Sequence, residues 1–217
     1  ADLVKEEQRG EYFGWRSKTL GIISVLATFA AGFILHRAEK SSAMLGFAII
    51  FGLAFVFRLV SWRYMNKMHE PPMVKKEGDY FSLRDFVSRY RTSNFVRFVV
   101  FVSLLKFTVY IASPFFAVLM LKDLGFGYMA FTMVTLAATI SAIVSIRRWG
   151  RHADRVGNLK VARSTSMLVA LIPMFWLVNQ NPVYLFFVQL FSGFAWAGFN
   201  LSASNFVFDA SSPGKRA

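Results

Sequence analysis

An all-α polytopic integral membrane protein of about six transmembrane helices is the fold class this 217-residue sequence predicts. Three observations carry that prediction. Hydrophobic residues make up 55% of the chain and charged residues 17%, where a soluble domain carries roughly a quarter charged. The charges are bunched, and the runs between them approach or exceed what roughly 30 Å of hydrocarbon demands. Basic and poorly charged loops then alternate along the chain, as membrane topology requires.

The spans follow in order. The first, about Leu20 to Leu35, is free of charge. The second, Ser41 to about Trp62, is charge-free until Arg58. The third, Phe98 to Leu121, contains one charge, Lys106. The fourth, Gly127 to Ile146, has none; the fifth, Ser164 to about Val178, is the shortest. The sixth, Val183 to Phe208, holds Gln189 and Asn200 but no formal charge. Segments such as MAFTMVTLAATISAIVSI are apolar around the whole helix, with no polar stripe to face water. A barrel strand would be shorter and would alternate.

The loops set an expected orientation. Stretches 1–18, 58–97, 147–163 and 214–217 hold 4, 9, 6 and 2 Lys or Arg, whereas 36–40, 122–126 and 179–182 hold 2, 1 and 0. The positive-inside rule therefore puts both ends of this segment in the cytoplasm. An even number of spans must follow, and six is even. The net charge of +13 sits at the ends of apolar runs, so nucleic acid is not an expected partner; a nucleic-acid groove needs polar walls. The opening stretch, ADLVKEEQRGEYFGWRSK, is charged and amphipathic and resembles no secretory signal. It reads as a chain entered partway through.

Residues 64–94 form a long charged connection containing Pro71-Pro72, against other connections that are much shorter. Such a linker suggests a boundary between two packing units. Within it, Tyr80 to Tyr90 is expected to lie on the membrane surface as a short amphipathic helix, with Phe81, Phe86 and Tyr90 as its apolar side.

Chemistry at a catalytic centre finds no foothold. There is no cysteine, the three histidines (His36, His69, His152) lie outside the spans, and Asp209 at the last edge is the first acid in any of them. An intramembrane hydrolase needs a nucleophile with a base, or clustered metal ligands. No phosphate-binding G-x-x-x-x-G-K-[ST] string exists either. The chain is expected not to be an enzyme and to need neither metal nor other cofactor.

Between the fourth and fifth spans lies Gly150-Arg151-His152-Ala153-Asp154-Arg155-Val156-Gly157-Asn158-Leu159-Lys160. It resembles the cytoplasmic signature of the major facilitator superfamily, G-x-x-x-D-[RK]-x-G-x-x-[RK]. The glycines are expected to let the chain turn tightly between antiparallel helices. Asp154 is suited to accept from the N-terminal amides of a nearby helix, and Arg155 and Lys160 supply positive charge. Asn158 departs from the family pattern, which often has a basic residue directly after the second glycine. That weakened copy looks more like the one between the family's eighth and ninth helices than the one between its second and third. Asp2 with Arg9, and Asp209 with Arg216, share a spacing and resemble the strings after the family's fourth and tenth helices. Two six-helix halves related by duplication would produce that repeat.

The resemblance implies a register. Residues 1–63 would be the last two helices of the N-terminal half, 64–94 the linker between halves, and 95–217 the first four helices of the C-terminal half. It implies a transporter working by alternating access on a small-molecule solute, with a proton or another coupling ion left open. Helices absent from this segment, or self-association, would complete the cavity in the bilayer. The runner-up is a non-transporting six-helix scaffold or assembly module.

Lys106 is the one formal charge well inside a span, and an ionisable residue there faces protein or water, or snorkels. At 100° per residue, Ser103, Lys106, Tyr110 and Ser113 fall within an arc of about 80°, and Pro114 beside them can free a carbonyl. On the sixth span Gln189, Ser192, Trp196 and Asn200 share a similar arc. That arc suits either a wet surface or interhelical packing helped by Gly193 and Gly198. The family's seventh and tenth helices line its central cavity, so the resemblance implies cavity roles for Lys106, Tyr110, Gln189, Trp196 and Asn200. The Gly-Pro-rich string of many drug–proton antiporters is not matched in the first span, which has only Gly21 and Gly32.

Overall fold

A computed structural model describes residues 6–38, 42–68, 84 and 88–210. Six long helices run through them: α1 (Glu6–Ala38), α2 (Ala43–Met65), α3 (Asn94–Val118), α4 (Tyr128–Val156), α5 (Asn158–Val178) and α6 (Pro182–Ala210). Among the described residues there is no strand, and each of the six is long and apolar enough to cross a membrane. The all-α, six-span reading stands. Phe81 and Phe86 of the expected surface helix lie outside the described residues, as do Asp2 and Arg216; Tyr90 belongs to a short 3-10 turn, Arg89–Arg91.

The helices overrun the apolar runs that announced them. The first apolar span, Thr19–Ala38, is the inner part of a helix that starts at Glu6. Glu, Gln and Arg are good helix formers, so nothing in the polar stretch stops it. At the other end of the chain, α6 starts where Asn181 accepts the Val183 N–H at 2.9 Å, with Pro182 in the first helical position. Proline is preorganised there and its missing N–H is not needed.

Helix α3 carries Pro114 in its interior. Proline offers no N–H to the carbonyl four residues back, which is that of Tyr110. Beyond Val118 the winding loosens into a π-helical turn, Leu119–Asp123, where the Leu124 N–H reaches back to Leu119 O at 2.8 Å. Gly125, at φ 62°, reverses the chain, and the Phe126 N–H bonds Met120 O at 2.9 Å.

The chain divides into two compact units, residues 1–36 with 115–217, and residues 37–114. In the first unit α6 is the central helix, packed against both α4 and α5, which touch each other much less. The core consists of α6 residues Leu185, Val188, Ala195, Ala197 and Phe199, with Val134 and Ala137 of α4 and Val161, Val169 and Trp176 of α5. Helix α1 comes close to α4, since a Cβ built on Gly32 would overlap the Thr132 side chain. In the second unit every residue of α2 from Phe51 to Met65 is exposed. Large apolar side chains exposed all round a helix suit lipid rather than water.

Candidate functional site

The first group of candidates lies on α3. Lys106 is half-buried there, with Ser103, Tyr110 and Ser113 exposed on the same arc. Tyr110 is 68% exposed, so its phenol stands clear of the unit that contains it. Arg97, one charge earlier on this helix, is tied back: its guanidinium donates to Tyr90 O at 3.0 Å and to Arg91 O. Lys106 is the deeper cation and the one at mid-span.

The second group lies on α6, and the structure grades it. Ser192 is buried, Gln189 and Trp196 are half-buried, and Asn200 is exposed. The Trp196 ring meets Phe199 edge-on, with centroids 5.8 Å apart. Lys106 and Tyr110 belong to one compact unit and Gln189, Trp196 and Asn200 to the other.

Two glycines of α6 are packed without room to spare, Gly193 beside the arc of Gln189, Trp196 and Asn200 and Gly198 opposite it. A Cβ on Gly193 would overlap the Ala138 carbonyl of α4, and one on Gly198 would lie 2.7 Å from Thr165 Cγ2 and from the Trp149 ring. Backbones this close are what small residues permit between membrane helices. The close approach then brings polar side chains onto carbonyls of α6. Ser141 donates to Leu190 O at 2.6 Å, and Trp149 Nε1 donates to Phe194 O at 2.8 Å. The Trp149 ring also packs against Phe194, tilted by 44° with centroids 4.8 Å apart. From α6 to α5, the Tyr184 hydroxyl donates to Phe175 O at 3.0 Å. Glycines and carbonyls of α6 meet α4 and α5, and Gly193 does so at the edge of the arc that carries half-buried Gln189 and Trp196 and exposed Asn200.

Trp149 and Ser141 were missed by reasoning from sequence. A faint signal existed, since Ala138, Ser141 and Ser145 recur at helical spacing in an otherwise bulky span. The indole gave no such hint. Its role depends on Gly198 being within reach, a residue on a different helix.

The glycine-bearing motif departs from the expected turn. Residues Gly150 to Val156 are the last turns of α4, still helical. The whole connection to α5 is Gly157, at φ 94° and ψ 142°, whose N–H bonds Ala153 O at 2.8 Å. Only that glycine needs the left-handed φ that side chains resist. Gly150 is an ordinary helical residue near Leu201, where a Cβ would sit at 3.7 Å, an ordinary contact. The intervening residues are tolerable helix formers, so α4 continues until the one position that breaks it. Asp154, Arg155 and Lys160 are all exposed around this break. Asn158 and Asn205 approach each other at 3.4 Å, linking the start of α5 to α6.

The sequence profile of the Major Facilitator Superfamily matches residues 1–217. No curated protein and no solved structure matches the chain.

Proposed function

The chain belongs to the Major Facilitator Superfamily, and from that premise we propose that it moves a small solute across the membrane by alternating access. Lys106, Tyr110, Gln189, Trp196 and Asn200 line the path in this reading. Lys106 carries it. Lys106 is an ionisable group at mid-span, half-buried on an arc whose other members Ser103, Tyr110 and Ser113 are exposed, and such a group is usually functional. It favours a solute with an anionic group, or pairs with a carboxylate on another helix. Pro114 supports the same face by leaving the Tyr110 carbonyl without its helical donor.

In this reading α1 and α2 answer to the fifth and sixth helices of a twelve-helix plan, and α3 to α6 to the seventh through tenth. Residues 1–63 and 95–217 then belong to different halves, joined by 64–94. Both ends of the segment are cytoplasmic, which the loop charges support. Further helices or a second copy complete the cavity.

The chain contains no cysteine, so single cysteines can be introduced directly. Lys106→Cys, Tyr110→Cys, Gln189→Cys, Trp196→Cys and Asn200→Cys in reconstituted protein are expected to react with a membrane-impermeant methanethiosulfonate. Phe57→Cys, 69% exposed on α2, is expected to stay unreactive in lipid. Uniform silence at the five positions would favour the scaffold reading and end this one. In the full-length protein Lys106→Gln should lower solute affinity or transport, and an unchanged value would remove Lys106 from the path.

A further inference from the structure

Positive charge concentrates where α4 meets α5. Six cations, Arg147, Arg148, Arg151, Arg155, Lys160 and Arg163, lie within seventeen consecutive positions (147–163), against one carboxylate, Asp154. All six are exposed, and none is ion-paired among the described residues. The single-residue connection at Gly157 keeps the two helix ends that carry them together. Because α4 and α5 both pack on α6, the faces that they turn away from α6 can be read from burial.

On α4, the side toward α6 carries Ala138, Ser141, Ser145, Trp149 and Ala153. Roughly opposite, at 100° per residue, runs a stripe of exposed Met133, Ile140 and Val144. Continued past the apolar span, the same stripe becomes Arg147, Arg151 and Arg155, with Arg148 at its border. Helix α5 repeats the pattern in reverse. Lys160 and Arg163 come first, then exposed Met167, Leu171, Met174 and Val178 on the same side. Each helix therefore offers a greasy strip that ends in exposed positive charge.

We propose that this junction is a binding site for an anionic phospholipid. The acyl chains lie along Met133, Ile140 and Val144 or along Met167, Leu171 and Met174. The headgroup phosphate meets Arg147, Arg151, Arg155, Lys160 and Arg163. A zwitterionic headgroup would bring its own positive charge into a cluster that already has six, so the site discriminates by net charge. A soluble anion would use the cations but leave both apolar stripes uncovered, and a protein helix would have to bring several acids to its own membrane end. An anionic lipid alone satisfies both halves of each stripe. Guanidinium also suits phosphate through paired donors. The inference rests on the chain spanning a bilayer and not on what it transports.

The test is native mass spectrometry of the full chain in detergent, titrated with phosphatidylglycerol and, separately, phosphatidylcholine. Phosphatidylglycerol is expected to bind in preference. The variant R147Q/R151Q/R155Q should lose that preference, by about fivefold for each arginine removed. A matched variant at the end of α2, R58Q/R63Q/K67Q, removes as many exposed cations and should keep it. Equal losses in the two variants would mean diffuse charge attraction and overturn the site. So would displacement of the lipid by inorganic phosphate at equal concentration, which would mark a soluble-anion site. Circular dichroism on both variants separates lost binding from lost fold. Should the glutamine variant misfold, K160Q/R163Q replaces it: it removes two of the phosphate contacts from α5 and should lower the preference about twenty-five-fold, and retained preference there would equally sink the proposal.

Discussion

Helices α2 and α6 have nearly the same kind of sequence and opposite fates. Both are apolar around their circumference and both qualify as spans, yet 44% of the most apolar window of α6 is buried and 6% of that of α2. Hydrophobicity cannot be the difference, because lipid is as apolar as a leucine side chain and gives helices no reason to associate. The difference lies in residue size and placement. Helix α6 sets Ser192, Gly193, Ala195, Ala197, Gly198 and Ser202 along its faces, and all are buried. Helix α2 sets out Phe47, Phe51, Phe55, Phe57 and Trp62, and its Gly52 has nothing within 4 Å of where a Cβ would be. Apolarity puts a helix in the membrane; smallness at the right positions puts it against another helix.

The comparison is easiest to break at glycine. Gly193→Leu should drive a side chain into the Ala138 carbonyl, a backbone atom that cannot swing aside. We expect a loss of about 3 kcal/mol or more, or outright aggregation, since overpacking a tight contact costs ~1–3 kcal/mol even where neighbours can shift. Gly52→Leu, in the open on α2, should stay within about 0.5 kcal/mol. Thermal melts of the two variants in the same detergent decide it. Equal melting shifts would mean that the α4–α6 contact does not limit stability.

A smaller effect is expected at Trp149. Trp149→Phe keeps a ring against Phe194 and removes only the indole donor to the Phe194 carbonyl. The expected cost is about 1 kcal/mol, and Trp62→Phe, exposed on α2, should cost almost nothing. The same melts read both. Similar values for the two tryptophans would show that the bond contributes nothing net.

The smallest change should even have the opposite sign. The Ser202 hydroxyl is fully buried on α6 and has no hydrogen-bond partner among the described residues. Ser202→Ala removes that unsatisfied group with little change of volume, so stability should be unchanged or rise by up to about 1 kcal/mol. A clear loss would mean that the hydroxyl finds a partner in the membrane, which denaturant or steric-trap unfolding would register.

Much of the candidate site shares this division between what a single helix reveals and what a pair decides. Lys106 was legible because a cation in a span is rare enough to need a reason. Gln189, Trp196 and Asn200 were legible as an arc because helical spacing is fixed. Their grading from half-buried to open was not, since it depends on where α4 and α5 sit against α6. The motif shows the same limit. Its residues were readable, but two glycines in one stretch gave no sign that Gly150 would stay helical while Gly157 alone made the turn.

The sequence by itself determined the all-α class, six segments long and apolar enough to cross a membrane, roughly where they lie, and the family. It could do so because a bilayer imposes length and all-round apolarity on each span separately, and those are properties of consecutive residues. The tertiary structure decided that α6 is the hub, that Trp149 and Ser141 bind its carbonyls, and that the apolar stripes of α4 and α5 run into exposed arginine and lysine. Those facts depend on which faces meet. Between helices of similar apolarity the choice of faces rests on shape and on a few hydrogen bonds, which no single segment contains.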